Sequence, residues 1–125
     1  MGLRPLASRP VRTTTGAHYQ RWLLRLWQRR ARATRLRAQH PPHGSAFRCI
    51  HRYEGPWTAA TGNGYYGGLQ MDIRFQQAYG AVLLRVKGTA NRWSPLEQMW
   101  VAERAHRSGR GFTPWPNTAR MCGLL

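Results

Sequence analysis

The sequence of 125 residues is long enough for one domain of modest size and too short for two. Its net charge of +16 and its 19 arginines indicate polyanionic partners, such as nucleic acid, an anionic membrane face or an anionic wall polymer. No stretch approaches the about 18 consecutive apolar residues of a membrane-spanning segment, so none is predicted. A clear signal peptide is not found either, because the longest apolar stretch near the start, WLLRLW, is interrupted by Arg25.

The charge is distributed unevenly along the chain. Residues 1–45 hold ten arginines and no acidic residue, whereas residues 46–125 hold ten basic and four acidic residues. This asymmetry predicts a basic N-terminal arm, residues 1–45, followed by a domain formed by residues 46–125. Within the arm, we expect a disordered start, an amphipathic helix over residues 17–38 and a Pro/Gly linker before the domain.

The predicted helix of the arm has an apolar face and a basic face. A helix of this kind can lie on an anionic membrane or wall surface, or its apolar stripe can dock on the domain, and both interpretations stay open. The apolar face holds Tyr19, Trp22, Leu23, Leu26 and Trp27, and the basic face holds Arg21, Arg25, Arg29 and Arg32.

The first half of the domain predicts a short helix and a hairpin. Residues 46–54 have helical periodicity and are followed by a Gly-Pro pair that commonly ends a helix. Residues 57–70 are typical of a small hairpin or short sheet, in which Asn63 and Gly64 form a type I′ turn.

The second half of the domain is predicted to be mainly helical. Residues 72–80 form a short helix, and residues 81–93 are mostly loop with a further helical turn. Residues 94–109 form the clearest helix, because Ser94 is followed by Pro at the first helical position and by Glu97, which completes a capping box.

Three of the four carboxylates have local structural roles in these predicted helices. Glu97 belongs to the capping box, Asp72 can cap the helix that follows it, and Glu103 can pair with Arg107 one turn later. Glu54 is left without such a role.

Glu54 lies at an unfavourable place for a negative charge. It follows Phe47 by seven positions, so it shares the apolar face in the last turn of the helix. The negative end of the helix macrodipole and burial beside Trp57 both disfavour the ionised carboxylate, and a protonated carboxyl can act as a general acid. The alternative is a surface Glu paired with Arg52 or His51, and the residues alone leave both interpretations open.

The two cysteines, Cys49 and Cys122, lie near the two ends of the domain. They are either free buried thiols or one disulfide formed in an oxidising compartment. Their positions relative to histidines do not match zinc-ligand spacing, so no metal site is predicted. The glycine-rich segment also lacks the strand and helix that a phosphate-binding loop requires.

The block TGNGYYGGLQ, residues 61–70, is preceded by Glu54 and Trp57 and is followed by a WP…C segment. Together these motifs resemble the transglycosylase-like domain of the resuscitation-promoting factor family, over residues 46–123. The resemblance implies an α+β fold: a small lysozyme-like domain with helices around a short β-hairpin that flanks a sugar-binding cleft.

The resemblance also implies an activity. Glu54 corresponds to the catalytic acid of the family, and the implied substrate is the β-1,4 bond between N-acetylmuramic acid and N-acetylglucosamine in peptidoglycan. No cofactor or metal is implied, and the protein is expected to be a secreted or cell-envelope monomer. The implied substrate-binding residues are Trp57, Thr61, Asn63, Tyr65, Tyr66, Gln70 and Trp115.

The chain departs from the family pattern near both cysteines. The family often has CESGGNW where this chain has CIHRYEGPW, so the segment between Glu54 and Trp57 is shorter. Cys49 is one turn earlier than the family cysteine, and Cys122 lies about four residues later. Since these shifts can compensate, the resemblance implies a disulfide between Cys49 and Cys122.

Two other functions stay open beside the enzyme. The same fold could bind peptidoglycan without cleaving it, and the basic arm could bind nucleic acid, which is the least favoured of the three. For the enzyme, the reaction is a lytic transglycosylation with Glu54 as the single acid and base, or a hydrolysis for which Asp72 is the candidate second carboxylate.

Overall fold

The computed structural model describes residues 12–125, with side chains from residue 16 onward. Contacts within the chain define two compact units, Met1–Ala38 and Gln39–Leu125, so the division falls seven residues before the one expected after residue 45. Most of the predicted disordered start lies outside the described residues, but residues 12–16 are helical.

The described part of the first unit is a single long helix, α1 (Arg12–Gln39). Several of its large apolar side chains are exposed, including Tyr19, Trp22 and Trp27. Tyr19 stacks on Trp22 with a centroid separation of 6.0 Å, and the Arg30 guanidinium lies 5.3 Å from the Trp27 ring. Among the described helices, none combines the length and apolar content that crossing a bilayer requires.

The second unit is built from five short α-helices joined by irregular segments. The central helix, α5, contacts both α2 and α3, while α2 also packs on α6 and α3 also packs on α4. A 3-10 turn (Ala90–Arg92) precedes α5, and a π-helical turn (His106–Arg110) follows it. The helices are α2 (Gly44–Glu54), α3 (Ile73–Tyr79), α4 (Ala81–Lys87), α5 (Pro95–Ala105) and α6 (Pro116–Met121).

The predicted helix caps are confirmed. The Ser94 hydroxyl accepts a hydrogen bond from the Glu97 N–H at 3.1 Å, and the Glu97 carboxylate accepts one from the Ser94 N–H at 2.8 Å. Asp72 likewise accepts a hydrogen bond from the Phe75 N–H at 2.8 Å. The predicted helix over 94–109 is shorter than expected, because the α-helix ends at Ala105 and gives way to the π-helical turn.

The predicted short β-hairpin is not seen, so only the helical part of the predicted α+β class is confirmed. Within residues 12–125 there is no strand, and the only pairing of this kind is an antiparallel bridge between Tyr66 and Met71. The type I′ turn is also absent, since it requires a positive φ at Asn63, and Gln70 is the one described non-glycine residue with such a value. The segment therefore folds as a compact loop.

Side chains take the place of the missing sheet around this loop. The Gly68 N–H donates to the buried Gln98 amide oxygen at 2.8 Å, and the Leu69 carbonyl accepts from the Trp115 indole N–H at 2.7 Å. The other end of the Gln98 amide donates to the Trp57 carbonyl at 2.9 Å. Because these backbone groups are already paired, they have no need of a neighbouring strand.

The expected pairing of Glu103 with Arg107 is wrong. Glu103 is only 2% exposed, and its carboxylate accepts hydrogen bonds from the backbone N–H and the ring Nδ1 of His43, the latter at 2.8 Å. The His43 ring in turn stacks on His106 with centroids 4.0 Å apart. Glu103 therefore anchors the segment that enters α2, which helical spacing alone does not reveal.

The predicted disulfide is confirmed. Cys49 of α2 and Cys122, directly after α6, form a disulfide with their Cα atoms 6.0 Å apart. It ties the first helix of this unit to the last one. The interpretation of the two cysteines as free buried thiols is therefore wrong.

We expect the double variant Cys49→Ser/Cys122→Ser to lose about 4 kcal/mol of unfolding free energy, because 73 residues separate the linked positions and the unfolded chain gains that loop's entropy. Urea unfolding followed by circular dichroism measures the loss. Reductant should destabilise the wild type to the same degree and leave the double variant unaffected. Equal stability of the two proteins in oxidising buffer would contradict the prediction.

We expect Gln98→Leu to lower the free energy of unfolding by about 2–4 kcal/mol, since it leaves the Gly68 N–H and the Trp57 carbonyl buried without partners. Gln77→Leu is the matched control, because Gln77 lies on the exposed face of α3. Thermal and urea unfolding of both variants measure the difference. A loss that is no larger for Gln98→Leu than for the control would show that the amide does not anchor the loop.

Candidate functional site

Two adjoining cavities form one cleft on the second unit. The smaller one, of about 180 Å³, contains Glu54, and the larger one has a volume of about 470 Å³. Both lie within the second unit, and they adjoin each other, because four residues line both of them. The shared residues are Tyr65, Gln70, Pro114 and Trp115.

Glu54 is the last residue of α2 and is half-buried at the smaller cavity. Its Oε2 accepts a hydrogen bond from the Thr118 hydroxyl of α6 at 2.8 Å. Of the residues that line this cavity, Glu54 alone is acidic. The two ion pairs of the described chain are formed by other residues, so the interpretation of Glu54 as the partner of Arg52 or His51 finds no ion pair to support it.

The position of Glu54 beside Thr118 follows from how their helices are held together. The disulfide joins Cys49, in the middle of α2, to Cys122, directly after α6. Thr118 precedes Cys122 by one helical turn, so it lies on the same side of its helix. The covalent bond therefore brings the C-terminal turn of α2 against α6.

Tyr65 and Gln70 form the side of the cleft shared by both cavities. The Asn63 side-chain oxygen accepts from the Tyr65 N–H at 3.0 Å, and its amide nitrogen donates to the Gln70 side-chain oxygen at 3.4 Å. Gln70 also donates to the Gly67 carbonyl at 2.9 Å and has a positive φ of 49°. Asn63 thus does not line the cleft itself, but it positions Tyr65 and Gln70, which do.

Trp115 lines both cavities and is almost fully buried. Its ring packs edge-on against Phe47 and Phe75, each at a centroid distance of 5.7 Å. Its indole N–H donates a hydrogen bond to the Leu69 carbonyl. The core therefore holds this side chain on one side, and the loop holds it on the other.

Besides Asn63, three of the residues predicted to bind substrate do not line either cavity. Trp57 stacks on His51 with centroids 3.8 Å apart and is half-buried. Tyr66 packs against the hydrophobic core, and Thr61 is exposed outside the cleft. Their contribution, as the structure has them, is to the loop and not to the cleft surface.

The sequence did not single out several residues that the fold brings to the cleft. Thr118 and Asn117 come from α6, while Arg74, Tyr79 and Arg110 come from α3 and the π-helical turn. The one signal for Thr118 is its spacing from Cys122, which places it near α2 once the disulfide is assumed. Arg74, Tyr79 and Arg110 are brought together only by the packing of α3 against the segment after α5.

The larger cavity has a phenol with altered acidity. The pKa of Tyr79 is lowered, first because its hydroxyl is hydrogen-bonded to Ser108 at 3.4 Å, and second because it is hydrogen-bonded to Arg110. The Arg110 guanidinium also lies 5.9 Å from the Tyr79 ring and 5.7 Å from the Phe75 ring. Asp72 lines the same cavity while it caps α3.

Comparison with known proteins shows which family this domain belongs to. Residues 51–118, which include both Glu54 and Thr118, match the model of the transglycosylase-like domain, and the chain belongs to that family. It is 41% identical over 69 residues to resuscitation-promoting factor RpfE of Mycobacterium tuberculosis, and 37% identical over 70 residues to resuscitation-promoting factor Rpf1 of Corynebacterium glutamicum. The resemblance to the resuscitation-promoting factors is therefore confirmed.

The similarity to these relatives is partial. The alignments cover 55% and 56% of this chain but only 34% and 35% of the two relatives. The chain therefore spans about a third of their length. What is shared is the domain that carries the cleft.

We expect Gly68→Ala to disturb the loop beside the cleft, since a Cβ at this position would lie 2.5 Å from ring atoms of both His51 and Trp57. Such overpacking costs about 1–3 kcal/mol and should shift the tryptophan fluorescence. Gly16→Ala is the control, because nothing lies within 4 Å of a Cβ there. If both variants unfold at the same denaturant concentration as the wild type, the stacked rings do not constrain the loop.

Proposed function

We propose that this protein cleaves the glycan strands of peptidoglycan, with Glu54 as the catalytic acid. The observation that carries the proposal is a half-buried carboxyl without an ion-pair partner among the described residues, at one end of an open cleft. The family match supports it, because the matched region contains Glu54 and the cleft residues around it. The substrate bond is the β-1,4 linkage between N-acetylmuramic acid and N-acetylglucosamine.

In this mechanism the protonated Glu54 donates its proton to the glycosidic oxygen as the bond to the sugar breaks. A positioned acid contributes about 10²–10⁴-fold to the rate, and distortion of the bound sugar contributes the rest. The hydrogen bond from Thr118 to Oε2 holds the orientation of the carboxyl group and leaves the other oxygen to carry the proton. Tyr65, Gln70 and Trp115 line the same cavity as Glu54, which supports their assignment as the side chains that contact the sugar rings.

The cleft favours an intramolecular second step. Asp72, the candidate second carboxylate, lines the larger cavity, and one of its oxygens is used to cap α3. With Glu54 as the one carboxylate at the smaller cavity, it then acts as a base and accepts a proton from the 6-hydroxyl of the muramic acid. That hydroxyl attacks the anomeric carbon and leaves a 1,6-anhydro end.

The shortened segment after Glu54 is compatible with this role. Gly55 ends α2 with a φ of 148°, and its N–H donates to the His51 carbonyl at 3.1 Å. Pro56 then begins a tight turn that is closed by a hydrogen bond from the Ala59 N–H at 3.0 Å. The carboxyl group of Glu54 stays at the cavity surface in this geometry.

The same proposal assigns the protein to the cell envelope, outside the membrane, where its substrate lies. The exposed aromatic residues and arginines of α1 suit contact with an anionic membrane or an anionic wall polymer. This contact would keep the enzyme near its substrate. We expect the protein to act as a monomer.

We expect Glu54→Gln to reduce the cleavage of purified cell wall by at least about 10²-fold, since the amide cannot donate the proton. Asp72→Asn is the matched control: it keeps an oxygen to cap α3 and should retain most activity. Mass spectrometry of the released muropeptides measures both rates. A loss with Asp72→Asn as large as that with Glu54→Gln would establish a second catalytic carboxylate.

The products of the wild-type protein decide the reaction. Anhydro ends indicate a transglycosylase, whereas new reducing ends indicate a hydrolase and would contradict the intramolecular step. If the protein sediments with insoluble peptidoglycan but releases no products, it is a binding module and the proposed activity is wrong. Circular dichroism of each variant verifies that the fold is unchanged.

A further inference from the structure

Two arginines line the larger cavity of the cleft, away from Glu54. Arg74 is the second residue of α3, and Arg110 is the last residue of the π-helical turn. They approach the cavity from two different elements, and the cavity volume of about 470 Å³ is within the range of small-molecule sites, about 300–1,000 Å³. Two positive charges thus face a cavity large enough for a substrate group.

Neither guanidinium has a carboxylate partner. The ion pairs of the described chain join His43 to Glu103 and Lys87 to Glu97. Asp72 is the one acidic residue of this cavity, and its Oδ1 already accepts from the Phe75 N–H. The positive charge of the cavity is therefore only partly compensated by the protein itself.

Arg110 has aromatic neighbours at the larger cavity. Its guanidinium carbon lies 5.7 Å from the centroid of the Phe75 ring and 5.9 Å from that of the Tyr79 ring. Stacking on aromatic faces holds an arginine at low cost and leaves its outer N–H groups free to bind an anion. The phenol and the guanidinium together form a donor-rich wall.

We propose that the Arg74–Arg110 cavity binds a carboxylate of the glycan substrate while Glu54 acts on the adjoining bond. This inference rests on the proposed function. Planar guanidinium groups bind carboxylates by paired hydrogen bonds. In peptidoglycan such groups are attached to the muramic acid itself: the lactyl substituent bears a carboxylate when unsubstituted, and otherwise a stem peptide that carries its own.

The side chains shared by the two cavities make this arrangement feasible. Tyr65, Gln70 and Trp115 line both of them, so one ligand can contact these side chains while it reaches Glu54 at one end and the arginines at the other. A carboxylate is favoured over the phosphate of another wall polymer, because it is covalently part of the strand that is cleaved. The cavity would then select muramic acid strands over neutral glycans.

The test is equilibrium binding by calorimetry, with the full chain carrying Glu54→Gln so that no ligand is consumed. Three ligands separate the contributions: a disaccharide with its stem peptide, the stem-free disaccharide with a free lactyl carboxylate, and a neutral chitooligosaccharide of matched length. We expect Arg74→Gln and Arg110→Gln each to weaken binding of the carboxylate ligands about tenfold. Binding of the neutral ligand should not change.

Matched variants control for charge and for structure. Arg85→Gln removes an equal charge from the exposed face of α4, outside the cavity, and should leave all affinities unchanged. Arg74→Lys and Arg110→Lys should retain part of the affinity, whereas a purely structural role would not separate Lys from Gln in this way. The melting temperature of each variant shows whether the fold is intact.

The outcomes separate this inference from the proposed function. A loss limited to the stem-bearing ligand assigns the site to the stem carboxylates, and a loss limited to the stem-free ligand assigns it to the free lactyl carboxylate. Losses with both acidic ligands show that the cavity binds either carboxylate. Equal losses with the neutral ligand, or no loss at all, would overturn the inference while leaving cleavage by Glu54 intact. Arginine-dependent binding without any cleavage would support the site and refute the catalytic role.

Discussion

The second unit depends on buried side-chain amides that satisfy the backbone of its irregular segments. Gln98 and Gln76 are both fully buried, and both bridge one segment to another. The Gln76 amide donates to the Met71 carbonyl and accepts from the Ala90 N–H, each at 2.9 Å, while Gln98 does the same for the loop beside the cleft. An unpaired buried backbone group costs about 1–3 kcal/mol, so two amides of this kind can replace a small sheet.

Hydrogen bonds to the loop and the disulfide together determine the shape of the cleft. The loop that carries Tyr65 and Gln70 is held by hydrogen bonds of its backbone to the Gln98 amide and to the Trp115 indole N–H. On the other side, the disulfide fixes α2 against α6 and so places Glu54 beside Thr118. The two walls of the cleft are therefore positioned by independent constraints, one of hydrogen bonds and one covalent.

The four carboxylates of the domain differ in what their side chains contact. Glu97 and Asp72 cap helices, and Glu103 is buried against His43. Glu54, by contrast, faces the cavity with a single hydroxyl as its hydrogen-bond donor in the described chain. Glu54 and Asp72 form no ion pair in the described chain, and of these two only Glu54 caps no helix. Glu54 lies at one end of a cleft whose other end holds arginines.

The sequence by itself determined the features that depend on neighbours along the chain: the capping box at Ser94, the cap at Asp72 and the end of α2 at Glu54. With the family motif, it also determined the disulfide. Tertiary structure alone decided that the glycine-rich segment forms a loop and not a hairpin, and that Glu103 pairs with His43. The physical reason is that a local sequence pattern indicates only the hydrogen bonds that a segment can form within itself. Whether a buried amide or a distant imidazole offers a better partner depends on packing between residues far apart in the chain.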